Sequence, residues 1–147
     1  MPFKFRLEAS LRLAEQEMDI EQGLLAQELR TLREAAEQKD LQAQLLNAAL
    51  EKQKIACLEE PQMLSLWQRY CYDQRNILLK REKEVEEQNI RVEKQREKLL
   101  ECRIKTEKYK RLKEKKIRLF HIAELKKEQT EIDEIAQNLR GWKTQED

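Results

Sequence analysis

The placement of helix breakers decides most of what this chain can fold into. Glycine and proline occur twice each in 147 residues, as Pro2, Gly23, Pro61 and Gly141. Between Phe5 and Cys57 only Gly23 interrupts a helical pattern. A glycine inside a long helix costs about 1 kcal/mol against alanine, which an element of that length survives. Proline suits the first turn of a helix, where its missing N–H is not needed, and it drives the preceding residue out of the α region. Leu58-Glu59-Glu60-Pro61 therefore reads as a turn. The expected fold is all-α, one coiled-coil domain over residues 1–147: helix 1 about 5–57, a turn about 58–61, and helix 2 about 62–140 with Gly141 as its cap. The two should form an antiparallel coiled-coil hairpin with the C-terminal helix the longer.

Hydrophobic spacing supports this. In the first helix Leu7, Leu11, Ala14 and Met18 follow 4-3-4 steps, and Leu25, Leu29, Leu32, Ala36, Ala43, Leu46, Leu50 and Cys57 continue the stripe. Glu21, Lys39 and Gln53 are its polar members. The 3-4-4 steps Met18–Glu21–Leu25–Leu29 predict a stutter that locally unwinds a left-handed supercoil. Leu41, Leu45, Ala48 and Ile55 form a second stripe that a two-helix seam cannot fully cover. In the second helix Leu78, Val85, Val92 and Leu99 recur every seven residues, while the alternate seam positions, Gln74, Arg81, Gln88 and Gln95, are polar. Such a thin core depends on long side chains lying across it for its register.

At 1.5 Å per residue the helices span roughly 80 Å and 120 Å, so they cannot match end to end. Pairing about the turn sets Leu7 near Lys113 and leaves the chain beyond about Lys116 as a single helix. There Ile122, Leu125, Ile132, Ala136 and Leu139 keep helical spacing, an apolar stripe in search of a partner.

Composition closes off several function classes. Charged residues make up 40% of the chain and aromatics 5%, the usage of long helices rather than of a packed globule. Thirty basic and twenty-nine acidic residues are interspersed, which argues against a general nucleic-acid footprint. No apolar run is long enough to span a membrane, and the start lacks the apolar core of a signal peptide, so a cytoplasmic protein is expected. Cys57, Cys71 and Cys102 are odd in number, form no C-x-x-C pair and are joined by one histidine, His121, so reduced thiols are expected and no metal site. A two-helix structure has no concave interior in which to perturb a pKa or exclude water. No catalytic residue, cofactor or small-molecule substrate is assigned.

Two clusters remain. Lys105, Lys108, Lys110, Arg111, Lys113, Lys115, Lys116 and Arg118 form a basic run relieved only by Glu107 and Glu114. It reads as a solvated face, with an acidic protein, nucleic acid or anionic lipid as its alternative targets. Trp67, Tyr70 and Tyr72 follow the turn. Trp67 falls on the seam as a core residue, whereas Tyr70 and Tyr72 flank it and are candidates to face a partner together with Leu41 and Leu45.

At its two ends the sequence resembles a known family. Phe3-Lys4-Phe5-Arg6-Leu7-Glu8-Ala9-Ser10-Leu11 is similar to the opening of the flagellar export protein FliJ family. Tyr109-Lys110-Arg111-Leu112-Lys113-Glu114-Lys115-Lys116, then Lys126-Lys127-Glu128-Gln129 and Ile132-Asp133-Glu134-Ile135-Ala136, resembles its close. Length and turn position agree as well. The resemblance implies a part of the bacterial flagellar type III export apparatus, similar to the central stalk of rotary ATPases, at the inner face of the cell membrane. The partners it implies are a hexameric export ATPase, the membrane export gate, export chaperones and the ATPase regulator. On that expectation Arg118, Phe120, Ile122, Ile132 and Leu139 are assigned to ATPase contact, with Leu7 and Leu11 beneath them. Leu41, Leu45, Tyr70 and Tyr72 are assigned to gate or chaperone contact. The rival readings are a stalk protein of a virulence-type injectisome, a generic coiled-coil scaffold that dimerises through its seam, and nucleic-acid binding through the basic run.

Overall fold

The computed structural model of the chain describes residues 2–146, and side chains as far as residue 143. Two α-helices account for nearly all of it: α1, Glu8–Glu59, and α2, Leu64–Glu146. They pack extensively on each other, α2 is the longer, and no strand occurs among the described residues. The expected fold class holds.

The boundaries differ from expectation at both ends. Residues 5–7 lie outside α1; they form a turn closed by the Glu8 N–H donating to the Phe5 carbonyl at 3.2 Å. At the other end Gly141 does not cap α2, which runs on through it to Glu146, and neither glycine has a positive φ. Nothing downstream forces a stop, since no proline follows and Trp142 and Lys143 are helical. The helical hydrogen bonds outweigh the roughly 1 kcal/mol that a glycine costs.

Pro61 does what its chemistry requires. α1 ends at Glu59, Glu60 leaves the helical region at φ −136° and ψ 74°, and Pro61 opens a short 3₁₀ turn, Pro61–Met63, that leads into α2. The Glu60 N–H donates to the Ala56 carbonyl and the Met63 N–H to the Glu60 carbonyl, both at 3.0 Å. Backbone groups around the reversal are thereby paired without a side-chain cap.

Contacts group the chain into two units, Glu17–Cys102 and Met1–Gln16 with Arg103–Asp147. In the first, the two helices run antiparallel from the turn. Leu46, Ala49 and Ala56 of α1 and Cys71, Val92 and Leu99 of α2 are its buried apolar residues. Polar residues complete this seam. Gln95 donates to the Glu21 carbonyl at 3.2 Å and to the Glu21 carboxylate. Gln88 does the same at Glu28, with 3.0 Å to the carbonyl. Gln42 donates to the Gln74 carbonyl at 3.1 Å and to its Oε1 at 2.6 Å. Partners advance by sevens along α1 as they retreat by sevens along α2, the signature of an unbroken antiparallel heptad.

This ladder corrects the expected seam of α1. The occupants are Glu28, Ala35, Gln42, Ala49 and Ala56, rather than Leu29, Ala36, Ala43, Leu50 and Cys57 one residue later. Ala49 and Ala56 are buried, Leu50 only half-buried and Cys57 exposed. The steps from Met18 run 3-4-3-4 through Glu21, Leu25, Glu28 and Leu32, so the expected stutter is absent. Its physical reason is the polar demand of Gln88, which draws Glu28 into the seam where hydrophobicity alone would have chosen Leu29.

The other unit holds the beginning of α1 against α2. Leu11, Ala14 and Thr106 are buried, Leu7, Leu112 and Lys113 half-buried, and Lys113 Nζ lies 2.9 Å from a Glu8 carboxylate oxygen. The expected neighbourhood of Leu7 and Lys113 is thus observed. The extended residues before α1 reach further along α2 than expected: the Phe3 ring packs 5.5 Å from that of Phe120, tilted by 56°. From residue 125 to residue 143 every described side chain is exposed.

Candidate interaction surfaces

Beside the turn, in the unit Glu17–Cys102, the seam leaves an open apolar groove of about 360 Å³. Leu45, Ala48 and Lys52 of α1 form one wall and Met63 of the 3₁₀ turn with Leu66 and Tyr70 of α2 the other, with Trp67 between them. The arrangement follows from heptad geometry, since 45, 48 and 52 each precede a seam residue and so stand on one flank of it. Trp67 and Tyr70 meet edge to face, ring centroids 5.8 Å apart at 85°. Lys52 Nζ sits 5.4 Å from the Trp67 ring centre, where its charge meets the negative face of the indole. An apolar floor with a cationic rim suits a partner helix that presents aliphatic residues beside a carboxylate.

Of the four residues expected to meet a gate or chaperone, Leu45 and Tyr70 line this groove. Leu41 extends it by one turn of α1 and is exposed. Tyr72 is not part of it. Two residues along a helix turn the side chain by about 200°, which puts Tyr72 on the opposite flank, one turn beyond Gln68, which lines a second depression with Leu50, Cys57 and Leu64. Met63, Leu66 and Lys52 were missed. Their signal was available, because each stands beside a seam position close to the turn.

The second surface lies in the unit that contains the end of α2. Leu125, Ile132, Ile135, Leu139 and Trp142 are exposed, from 59% for Ile132 to 71% for Trp142. The steps from Ile132 run 3-4-3, and Leu125 stands seven residues before it. This is a coiled-coil seam laid open to solvent. Ile135, Leu139 and Trp142 together line a shallow depression with Asn138. Spacing in the sequence puts Ala136 where the stripe has Ile135, and Trp142 lies beyond Gly141, the expected end of the helix.

The residues expected to meet an ATPase are distributed between core and surface. Ile132 and Leu139 belong to the open stripe, and Arg118 and Ile122 are exposed before it. Phe120 is half-buried beneath Phe3 and also touches the His121 ring at 6.0 Å. Leu11 is buried, and Leu7 lines a cleft with Phe3, Phe5, Leu112 and Lys116. Leu11 thus belongs to the packed interior of this unit and Leu7 to its cleft, not to the exposed surface.

Among the described residues no group of acidic, histidine and cysteine side chains is placed to hold a metal ion, and no helix is long and apolar enough to cross a membrane. The basic residues of the run are exposed apart from Lys113, which pairs with Glu8.

Comparison with protein-family models gives a match to the flagellar FliJ protein over residues 3–143, nearly the whole chain. No curated protein matches, and no solved structure does.

Proposed function

This chain belongs to the flagellar FliJ protein family and is a coiled-coil component of the flagellar export apparatus, and on that premise we propose that it acts as a stalk which engages and activates the hexameric export ATPase. The observation that carries this reading is the open heptad stripe Leu125, Ile132, Ile135, Leu139 and Trp142 at the end of α2. Isolated helices are marginal in water, and an apolar seam this exposed gains most by laying its stripe into a groove between helices of another protein. Burying one such side chain is worth roughly 1.5–3 kcal/mol, so three or four suffice for reversible binding. Arg118, Phe120 and Ile122 would extend the contact towards the body, while Leu7 and Leu11 set its base.

The groove of Leu45, Trp67 and Tyr70, extended by Leu41, supports a second contact, with the export gate or with export chaperones. Tyr72 would serve a partner on the opposite flank. Association with the membrane at the flagellar base would then be peripheral and mediated by the gate, with the ATPase regulator a further partner.

The test mixes the purified protein with a flagellar export ATPase and follows hexamer formation and ATP hydrolysis. Stimulation by the natural chain is expected, and Ile132→Asp with Leu139→Asp should raise the concentration needed by about tenfold or more, since each removes an apolar anchor. Unchanged hexamer formation and hydrolysis on adding the natural chain would remove the reading.

A further inference from the structure

α1 carries two overlapping seams, of which the structure uses the less apolar one. Leu25, Leu32, Lys39, Leu46 and Gln53 are common to both. The alternate positions in use are Glu28, Ala35, Gln42, Ala49 and Ala56; one residue further on stand Leu29, Ala36, Ala43, Leu50 and Cys57. The unused set replaces a carboxylate and an alanine by leucines and a glutamine by an alanine. Its first four members are half-buried, directly beside the seam. Turning α1 about its axis by half the roughly 100° between successive residues would bring that set into contact with α2.

On hydrophobicity alone α1 should turn that way, and the glutamines of α2 explain why it does not. The Gln88 and Gln95 amides are 5% and 8% exposed, and each donates both to a main-chain carbonyl and to the side chain of a residue in the used set or its continuation, Glu28 and Glu21. At Gln74 the direction is reversed: the buried Gln42 amide of α1 donates to the Gln74 carbonyl and to its Oε1. After the turn of α1 the Gln88 amide would face the Leu29 side chain, which cannot accept, and the Gln42 amide would be carried away from Gln74, its acceptor. Buried amides without partners are costly, so the ladder penalises the more apolar register more than it rewards the one observed.

We propose that this polar ladder is a register selector: the unit Glu17–Cys102 has two helix registers available, and Gln74, Gln88 and Gln95 hold it in the one whose α1 face is less apolar. The output of a change of register is the groove beside the turn. Leu41, Leu45 and Ala48 lie on the flank of α1 opposite to Leu29, Ala43 and Leu50, so the turn that buries the second set rotates the first outward and separates Leu45 from Tyr70. A partner that grips Leu45 and Tyr70 together binds one register only, and by linkage it stabilises that register.

Single cysteines at Ala49→Cys and Leu50→Cys, each in a full chain with Cys57→Ser, Cys71→Ala and Cys102→Ser, report the register through their rates of maleimide alkylation. With the ladder intact the cysteine at position 49 should react about tenfold more slowly than that at 50, in line with the buried and half-buried side chains they replace. With Gln74→Leu, Gln88→Leu and Gln95→Leu the order should reverse, and adding Glu28→Leu with Gln42→Leu should restore it by making the used face the more apolar. If the triple variant loses its helical circular dichroism, Gln74→Leu alone serves, and it should narrow the ratio of the two rates at least threefold. A helical triple or single variant with the original order and ratio would overturn the proposal.

Discussion

Single residues in this chain matter chiefly through what they do to a helix or to its seam. Gly23 is helical, exposed, and has nothing within 4 Å of the place where a Cβ would stand. Gly23→Ala should therefore stabilise the protein by about 1 kcal/mol, read as a higher urea midpoint at unchanged slope. Gly141 has the same open surroundings, but it lies in a stretch of α2 whose side chains are all exposed. Gly141→Ala should raise helicity by circular dichroism without moving the main unfolding transition, because local and global stability differ there. Gln88 sits at the other extreme. Gln88→Ala removes two hydrogen bonds and leaves the Glu28 carboxylate against a small cavity, at a cost of about 1–3 kcal/mol in the same denaturation measurement.

At the scale of the helices, α1 and α2 were legible because few residues oppose helix, and Pro61 fixed the reversal. What the sequence concealed was which of two adjacent stripes α1 would bury. Apolar periodicity favours Leu29, Ala43 and Leu50, whereas the register rests on glutamine amides that need acceptors across the seam, and that requirement appears only when both helices are considered together. The end of α2 was misjudged for a simpler reason. Glycine is permitted as a helix cap without being obliged to act as one, and with Trp142 thereby placed beyond the helix one member of the open stripe went unseen. Of the candidate surfaces, Leu125, Ile132 and Leu139 of the stripe were visible as spacing, with Ala136 in the place of Ile135, and Leu45 with Tyr70 as exposed apolar residues. The separation of Tyr72 from Tyr70 required only the helical angle between them. Packing makes a sharp contrast testable: Ala49→Asp puts a carboxylate into a site 2% exposed and should cost about 3 kcal/mol or more. Leu125→Asp, at an exposed position, should change stability by less than about 0.5 kcal/mol while weakening any partner that uses the stripe.

For the molecule as a whole, the fold and the proposed function rest on one arrangement: α1 and α2 of the same chain pack on each other, and the stripe at the end of α2 is exposed, where the proposed partner would bind. A generic scaffold would instead pair its seams between chains. Sedimentation equilibrium should accordingly give the monomer mass at micromolar concentration. The most direct measurement oxidises Glu28→Cys with Gln88→Cys, introduced together into a chain whose natural cysteines have been replaced, and reads the product on a non-reducing gel. The account predicts a disulfide within one chain, formed at a rate independent of protein concentration and running at monomer size. Disulfide-linked dimers formed in proportion to concentration, with no cross-linked monomer, would contradict it.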